Sequence, residues 1–287
     1  MKKFKIKSFC KVNLSLRIIK KLKNHYHNIS SFITFADLHD VISVEKIRGL
    51  KDIISFSGRF KKGINKRSNT ITKVLYLLRK KKFLKKIYFR INIQKNIPHG
   101  SGLGGGSSNA ANLLNFFSQK AFLSLSNKEI EKIATQIGFD VPITLQRTNT
   151  FLTGKKGKIL RLNNKFRLNL LIVYPNIICS TKKMYEKNNN FSSPKYSSKI
   201  NRMNKKQLIN FLKKEKNDLE TTIIKFYPIV GKIIDIMKAQ NGCYFSRITG
   251  SGSACVGIFS NMKTAIYTKK LIKLKFPNYW CFVSKTI

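Results

Sequence analysis

Residues 98–111 read Pro-His-Gly-Ser-Gly-Leu-Gly-Gly-Gly-Ser-Ser-Asn-Ala-Ala, and this glycine-rich segment decides how the rest of the chain is interpreted. Glycines permit positive φ and let successive backbone N–H groups point at one anion. Ser107 and Ser108 are expected to cap the helix that follows, whose first turn adds unpaired N–H groups and a positive dipole end. The segment therefore predicts a polyphosphate-binding loop that leads into a helix.

Three widespread phosphate motifs do not fit this segment. Gly100, Gly102 and Gly105 match the G-x-G-x-x-G dinucleotide pattern. That pattern needs an acidic residue about 20 positions later, and none occurs between Asp52 and Glu129. A Walker A loop needs a lysine after its glycines, which is missing here. A protein-kinase glycine loop needs H-R-D and D-F-G partners, which the chain lacks.

Local patterns predict a mixed α and β first half. Alternating apolar and polar residues predict strands at residues 4–9, 12–18, 29–35, 41–47 and 87–93. Apolar residues at helical spacing predict a helix that starts at Ser68 or Asn69. Ser126 and Glu129 form a capping box at the start of another helix, which Gly138 ends.

The second half alternates helices and strands in an order typical of an α+β sandwich. The predicted helices cover residues 207–216, 219–239 and 263–274, and the predicted strands cover residues 244–248, 254–259 and 279–284. We therefore expect the α+β class and two domains, residues 1–158 and 159–287.

The composition argues against several classes of protein. A hydrophobic fraction of 42% with 11% aromatic residues excludes disorder through low hydrophobicity. The longest apolar run, residues 170–174, is far short of the roughly 20 residues that cross a bilayer. Lys11, Asn13 and Arg17 interrupt the apolar stretch that a signal peptide would need. Five scattered cysteines without a C-x-x-C pair favour reduced thiols. We expect a cytoplasmic protein with no membrane partner.

The net charge is the most unusual property of the chain. It carries 57 Lys and Arg against 12 Asp and Glu, a formal charge of +45. Such a surface suits phosphate contacts with nucleic acid. The lysines are spread over the whole chain, however, and the one dense run, residues 79–86, also fits a solvated helix end. Abundant Lys, Asn, Ile and Phe with scarce Arg is the pattern expected of an A+T-rich genome, so we expect no specific nucleic-acid partner.

The glycine-rich segment resembles the second signature of the GHMP kinase superfamily, P-x-x-x-G-L-G-G-G-S-S-[ND]-A-A. Lys11-Val-Asn13-Leu resembles the first signature, K-x-N-L, and residues 247–255, Arg-Ile-Thr-Gly-Ser-Gly-Ser-Ala-Cys, resemble the third. The resemblance covers essentially the whole chain. It implies the two-domain GHMP kinase fold, with an N-terminal ribosomal-S5-domain-2-like domain and a C-terminal ferredoxin-like α/β sandwich.

The triple glycine, the double serine and the Tyr26-His27 pair resemble one branch of this family in particular. This branch implies ATP-dependent phosphorylation of the 2-hydroxyl of a diphosphocytidyl sugar alcohol in the non-mevalonate (MEP) pathway to isoprenoids. The implied ligands are ATP, with Mg²⁺ carried by the nucleotide rather than by a protein metal site, and a small molecule with a cytidine diphosphate group. We expect a monomer or a weak homodimer.

The resemblance also implies two catalytic residues. Asp140, in the stretch Gly138-Phe-Asp-Val-Pro142, occupies the family's G-x-D-V-P position, which implies that it accepts the proton of the substrate hydroxyl. Without the resemblance, a turn or cap carboxylate is the plainer interpretation. Lys11 resembles the lysine that pairs with this carboxylate and lowers the pKa of the hydroxyl.

Further positions match the family's binding residues. Those implied to bind the nucleotide are Asn69, Lys95, Pro98, Gly100, Gly102, Leu103, Gly104, Gly105, Gly106, Ser107 and Ser108. Those implied to bind the alcohol substrate are Asn13, Tyr26, His27, Tyr185, Gly250, Ser251 and Gly252. Taken without the resemblance, Asn69 is equally a helix N-cap, Lys95 a solvated lysine and Asn13 the end of a strand.

Three alternative functions stay open at this point. The first is a GHMP kinase that acts on another small alcohol, such as mevalonate, homoserine or galactose. The second is a basic protein that binds nucleic acid through its lysines. The third is a decayed enzyme, against which the intact signatures argue.

Overall fold

The structure, a computed structural model, describes residues 2–22, 27–119, 123–153, 158–163, 166–193 and 198–287. The chain forms two compact units. The first unit comprises Met1–Cys10, Leu38–His99 and Gly104–Gln146, and the second unit comprises Lys11–Asp37, Gly100–Leu103 and Arg147–Ile287. Each unit therefore combines segments that are far apart in sequence, and the glycine-rich segment contributes residues to both.

Helices and strands are mixed along the chain, which confirms the predicted α+β class. The strands are β1 (Lys3–Asn13), β2 (Arg17–Lys21), β3 (His27–Ile47), β4 (Ile53–Ser57), β5 (Tyr88–Gln94), β6 (Thr150–Thr153), β7 (Lys158–Arg161), β8 (Asn169–Tyr174), β9 (Cys243–Ile248), β10 (Cys255–Phe259) and β11 (Trp280–Lys285). The helices are α1 (Thr70–Lys80), α2 (Gly105–Gln119), α3 (Asn127–Ile137), α4 (Val141–Thr144), α5 (Thr181–Glu186), α6 (Lys205–Lys213), α7 (Glu220–Phe226), α8 (Pro228–Lys238) and α9 (Met262–Lys275), with a short 3₁₀ helix at Ser198–Arg202. Within the described ranges, no helix is long and apolar enough to cross a membrane.

Strands and helices share one core in the first unit. The second half of β3 pairs antiparallel with β5, where Val41 lies opposite Gln94, and β4 pairs parallel with β5. Apolar side chains of β5 meet those of α1, α2 and α3 in a buried cluster, in which the rings of Phe89 and Phe117 lie 4.8 Å apart. This core supports the end of β5 and the start of α2, the two elements that flank the glycine-rich segment.

Capping residues define the helix ends of the first unit. The Asn69 side chain accepts hydrogen bonds from two backbone N–H groups in the first turn of α1, at 2.9 and 3.1 Å, and Thr72 Oγ1 accepts from Asn69 N at 2.9 Å. Ser126 and Glu129 form the capping box of α3, and Gly138 follows its last residue. The predicted helix starts and the predicted end of α3 are confirmed. Each cap satisfies N–H groups that a helix start leaves unpaired, typically about 1 kcal/mol.

The second unit contains a four-stranded antiparallel sheet in the order β11-β8-β10-β9. Trp280 lies opposite Tyr174, and Cys255 lies opposite Val173. α8 and α9 pack against this sheet. The central strands β8 and β10 are almost entirely buried, which explains the apolar run at residues 170–174. The first half of β3 also belongs to this unit and pairs with β2 and β6.

Three sequence-based boundaries are wrong. The strands predicted at 29–35 and 41–47 are one strand, β3, because Asp40 between them is fully buried and hydrogen-bonded rather than a solvated turn residue. The strand predicted at 12–18 is the end of β1 and the start of β2. The helix predicted at 219–239 is two helices, because Pro228 has no N–H to donate and starts a new one.

A buried ion pair ties β2 to the segment that follows α6 in the second unit. Arg17 Nε lies 2.6 Å from Glu215 Oε2, and Arg17 Nη2 lies 3.1 Å from Glu215 Oε1. The two side chains are 9% and 3% exposed. Charge-assisted bonds of this two-pronged kind are strong, and loss of one partner leaves the other charge buried and unpaired.

Arg17→Met should therefore lower the free energy of unfolding by about 3–5 kcal/mol. The matched control is Glu186→Gln, which breaks the exposed Lys182–Glu186 pair and should change that free energy by about 0.5 kcal/mol or less. Urea denaturation followed by circular dichroism measures both. Equal losses of unfolding free energy in the two variants would contradict the conclusion that burial makes the Arg17–Glu215 pair important for stability.

Candidate active site

The glycine-rich segment changes conformation at Gly104. The residues with positive φ are Gly100, Gly102 and Gly104, at 65°, 83° and 66°. Gly105 is already the first residue of α2, and Ser108 N donates to Gly104 O at 2.9 Å. Ser107 and Ser108 therefore lie inside the helix, and the prediction that they cap it is wrong. Their position in the first turn still places them at the positive end of the helix dipole.

Gly102 lies directly against the third signature within the second unit. A Cβ on Gly102 would overlap the carbonyl oxygen of Thr249, and a Cβ on Gly250 would lie 2.7 Å from Gly102 O. Ala254 N donates to Ser101 O at 3.1 Å. Two backbones thus pack against each other without side chains between them, at φ values of 83° and 56° that favour glycine.

The K-x-N-L motif joins the same group of segments. Lys11 N donates to Leu103 O at 3.1 Å, and Asn13 N donates to Thr249 Oγ1 at 2.8 Å. Leu103 itself is completely buried, so its side chain is part of the core and its carbonyl makes the contact. Residues 100–103 of the second signature therefore meet the other two signatures within the second unit.

Asn13 holds the ammonium group of Lys11 in place. Lys11 Nζ donates to Asn13 Oδ1 at 2.5 Å, Asn13 Nδ2 donates to Ser31 Oγ at 2.8 Å, and Ser31 Oγ donates to Ser15 O at 2.5 Å. All four residues are buried. The Asn13 amide cannot turn over without facing donor with donor and acceptor with acceptor. Asn13 therefore both ends β1 and orients a buried cation.

The start of α2 packs against two other parts of the first unit. A Cβ on Gly105 would lie 3.0 Å from Ile97 Cγ2, so a larger residue would push Ile97 away. Thr70, next to the α1 cap Asn69, donates from Oγ1 to Gly106 O at 2.9 Å. The N-termini of α1 and α2 are thereby joined; Asn69 caps the first turn of α1, whereas among the described residues no side-chain cap is found at the start of α2.

Two buried oxygens in the first turn of α2 have no partner among the described residues. They are Ser108 Oγ and Asn109 Oδ1, on residues that are 0% and 2% exposed. Buried polar atoms are nearly always hydrogen-bonded, so each of these oxygens has capacity for a further hydrogen bond. No cluster of three or more His, Cys, Asp or Glu in the described part of the chain is arranged to hold a metal ion.

Lys95 is buried in the first unit, and its interpretation as a solvated lysine is wrong. It is 3% exposed, and its ammonium group forms an ion pair with Asp40. Lys95 Nζ also lies 3.4 Å from the place that a Cβ on Gly105 would occupy. The predicted nucleotide residues Asn69, Lys95, Gly105 and Ser108 thus belong to one unit and cluster around the start of α2.

Asp140 stands between α3 and α4 in the first unit. It occupies the N-cap position of α4, yet its side chain makes no capping hydrogen bond. Its carbonyl oxygen accepts from Thr144 N at 3.3 Å and from Thr144 Oγ1 at 3.2 Å. α4 packs on α2 and α3, and Asn115 Nδ2 donates to Leu145 O at 2.8 Å. The carboxylate is therefore held on a fixed turn and is not used as a helix cap.

His27 and Tyr185 form a ring pair in the second unit. Their centroids lie 4.9 Å apart with an interplanar angle of 40°, and both side chains are half-buried. Burial, with a smaller contribution from Lys21, lowers the pKa of His27. The imidazole is therefore neutral around pH 7, with one N–H donor and one acceptor nitrogen. Tyr26, the other half of the predicted pair, lies outside the described residues.

The third signature also contacts α5 in the second unit. Thr181 Oγ1 and Ser251 Oγ share a hydrogen bond at 2.8 Å. This bond links the start of the helix that carries Tyr185 to the Gly250–Gly252 turn. Gly250, Ser251 and Gly252 are thus joined to both the K-x-N-L motif and the aromatic pair.

Family models match both halves of the chain. Residues 69–147 match the GHMP kinases N terminal domain, and residues 202–266 match GHMP kinases C terminal. A 4-diphosphocytidyl-2-C-methyl-D-erythritol kinase from Pelagibacter ubique is 38% identical over 287 residues, which cover 100% of both chains. The chain belongs to the GHMP kinase family.

Other relatives and solved structures agree with this assignment. A 4-diphosphocytidyl-2-C-methyl-D-erythritol kinase from Caldicellulosiruptor bescii is 31% identical over 94% of each chain. The crystal structure of a 4-(cytidine 5'-diphospho)-2C-methyl-D-erythritol kinase has a TM-score of 0.78 at 21% identity, over 99% of each chain. A homoserine kinase from Cytophaga hutchinsonii has a TM-score of 0.74 at 15% identity, over 100% of this chain and 95% of its own. The predicted GHMP kinase fold is confirmed.

This GHMP kinase has a supporting segment, residues 215–220, that sequence reasoning missed. Asn217 Nδ2 donates to Gly250 O at 2.9 Å and to Ile248 O at 3.3 Å. Glu220 Oε2 accepts from Ile248 N at 2.9 Å, and burial raises the pKa of this carboxyl group. Residues 215–220 therefore support the third signature through hydrogen bonds to its backbone. A signal was present, since three of the 12 acidic residues fall within these six positions.

Gly102→Ala should lower the free energy of unfolding by at least about 2 kcal/mol, because it adds left-handed strain to a collision with Thr249 O. The matched control is Gly106→Ala, whose Cβ would lie 3.6 Å from Thr70 within a helical turn. That control should be neutral or more stable by up to about 1 kcal/mol. Urea denaturation of both variants provides the measurement, and equal stability would refute the tight backbone packing at Gly102.

Proposed function

We propose that this GHMP kinase transfers the γ-phosphoryl group of ATP to the 2-hydroxyl of 4-diphosphocytidyl-2-C-methyl-D-erythritol, a step of the MEP pathway to isoprenoid precursors. The observation that carries the proposal is the full-length 38% identity to the Pelagibacter ubique kinase of that name. A relative of the same name from Anaplasma phagocytophilum, 30% identical over 100% of this chain, supports it further.

Asp140 and Lys11 supply the chemistry in this proposal. The substrate oxygen attacks the γ-phosphorus while Asp140 accepts its proton. The new O–P bond forms as the bond to the β,γ-bridging oxygen breaks, and ADP leaves. The Lys11 ammonium group stabilises the developing alkoxide. The fixed orientation of Lys11 by Asn13, and an Asp140 carboxylate that does not cap α4, support these roles.

Residues 102–108 of the glycine-rich segment bind the triphosphate in this proposal, through backbone N–H groups other than that of Ser108, which donates to Gly104 O. The orphan oxygens of Ser108 and Asn109 fit an external ligand of this kind. Mg²⁺ prefers oxygen ligands and usually keeps several waters, so a single serine hydroxyl suits an ion that arrives with the nucleotide. The ion would neutralise part of the phosphate charge. Asn69 and Lys95 are proposed on the adenine side.

The His27–Tyr185 ring pair of the second unit, together with Tyr26, is proposed to bind the cytosine ring. Tyr26 and Tyr185 would stack on the base, and neutral His27 would pair one donor and one acceptor with its polar edge. The Gly250–Gly252 turn would approach the diphosphate, because its glycines leave the backbone open to an anion. The His27–Tyr185 contact at 4.9 Å supports this arrangement.

The direct test is ADP release by the purified protein with MgATP and one alcohol at a time. The diphosphocytidyl alcohol should be turned over, and mevalonate, homoserine and galactose should not. Turnover of one of those three instead would refute the proposed substrate and keep the family chemistry. Salt-sensitive RNA binding without ADP release from any of the four would favour the nucleic-acid alternative.

Asp140→Asn and Lys11→Met should each lower kcat by at least about 100-fold while the melting temperature stays near that of the unchanged protein. The matched controls are Glu131→Gln in α3 and Lys7→Met in β1. They remove an exposed carboxylate and an exposed ammonium group and should keep full activity. Steady-state kinetics and thermal denaturation measure the outcome. An Asp140→Asn enzyme with normal turnover would overturn the mechanism.

A further inference from the structure

Asp40 is the most deeply buried acidic residue described in the first unit, and the mechanism does not use it. Its side chain is 0% exposed. Oδ1 accepts from Asn96 N at 2.7 Å and from Ile97 N at 2.9 Å. Oδ2 accepts from Asn109 Nδ2 at 2.9 Å and pairs with the ammonium group of Lys95. The carboxylate therefore receives four donors from two separate segments.

Four donors fill the acceptor capacity of a carboxylate, which has about four lone-pair positions. Asp40 therefore has no position left for a substrate proton and is unsuited to act as a base. Its one negative charge is balanced by the one positive charge of Lys95. The cluster is thus a closed, neutral unit in the interior, which is the arrangement under which buried charges are tolerated.

The two segments that meet at Asp40 flank the glycines of the glycine-rich segment. Residues 95–97 precede these glycines, and Asn109, the fifth residue of α2, follows them. The Asp40 carboxylate requires donors, so it forces Asn109 to present Nδ2 to it and leaves Oδ1 as an acceptor that Asp40 does not use. That Oδ1 is one of the buried side-chain oxygens that have no hydrogen-bond partner among the described residues.

Asp40 also offsets the electrostatic cost of placing Lys95 close to the start of α2. The Lys95 ammonium lies 3.4 Å from the place of a Cβ on Gly105, the first residue of α2. A lone cation at a helix N-terminus is repelled by the helix dipole. The Asp40 carboxylate cancels this repulsion, and the first turn keeps its N–H groups for an external anion.

We propose that Asp40 is a positioning residue for nucleotide binding, which holds residues 95–97 and the start of α2, on either side of the glycines, through Lys95 and Asn109. The inference rests on the proposed function only in that the bound anion is a nucleoside triphosphate. Asp40 acts through its partners and touches no reacting atom. Its loss should therefore weaken nucleotide binding and leave binding of the alcohol unchanged.

The test compares Asp40→Asn with the double variant Asp40→Asn/Lys95→Gln. The amide introduced by Asp40→Asn would turn an N–H group toward Lys95 and Asn109, so both contacts become donor against donor. The double variant removes the unpaired cation and should regain stability, but Asn109 still faces a donor. Both variants should bind the Mg²⁺ complex of a non-hydrolysable ATP analogue about tenfold more weakly or worse in calorimetry, as expected when one or two fixed hydrogen bonds are lost.

A matched control is Asp52→Asn in the same unit. Asp52 accepts from Arg79 Nη2 at 2.7 Å and from Phe89 N at 2.9 Å, so its loss also breaks an ion pair and a backbone bond. This control should lower the melting temperature without changing analogue affinity. In steady-state kinetics, the Asp40 variants should raise KM for ATP and leave KM for the diphosphocytidyl alcohol within a factor of about two, well below the tenfold effect expected on ATP.

The outcomes separate this inference from the proposed function. If the protein without substitutions binds the ATP analogue but phosphorylates none of the alcohols, the proposed function is refuted. Weaker analogue binding by the Asp40 variants would in that case still support the role of Asp40. Folded Asp40 variants with unchanged analogue affinity would overturn the inference. Failure of both variants to fold would overturn it too, because Asp40 would then serve stability rather than nucleotide binding.

Discussion

The backbone contact between Gly102 and residues 249–250 is the constraint on which the signatures of the second unit depend. With no Cβ on either glycine, the two turns approach closely enough for Lys11 and Asn13 to bond to Leu103 O and Thr249 Oγ1. A side chain at either glycine would separate these segments and break the bonds to Leu103 O and Thr249 Oγ1. The three signatures therefore depend on one shared contact and are not three independent sites.

Signals that act within a few residues were enough to predict much of the fold. The Ser126–Glu129 box and the cap at Asn69 were predictable because their hydrogen bonds span three residues or fewer. β3 was predicted as two strands because Asp40 is acceptable inside a strand only with Lys95, which is 55 positions away. The Arg17–Glu215 pair is separated by 198 positions and has no local signal. Pro228 was a local signal for a break between two helices. The helical spacing of apolar residues on both sides of Pro228 obscured this signal.

The residues of the candidate site likewise divide into those that short sequence patterns could predict and those that they could not. Motif spacing was sufficient to single out Lys11, Asn13 and the glycine turns, since these residues belong to short, ordered patterns. It could not reveal Asp40 or Asn217, which support those patterns from distant strands and loops through bonds to backbone groups. The serines of the second signature were misplaced by the same reasoning, because the helix begins wherever its first i to i+4 bond can close. Residues that touch ligands leave patterns in sequence, whereas residues that hold them in place often do not.

The burial of acidic side chains has a consequence for the protein in solution. Asp40, Glu215 and Asp218 lie inside the fold, and Asp52 is largely covered by Arg79. These four carboxylates make their ion pairs and hydrogen bonds within the fold, so counterions from the solvent must balance most of the lysines outside. At physiological ionic strength this ion atmosphere screens the surface beyond about 8 Å, so a polyanion is distinguished only on contact. In dilute buffer the field reaches several times farther, and selectivity among polyanions becomes a property of the salt concentration as much as of the binding site.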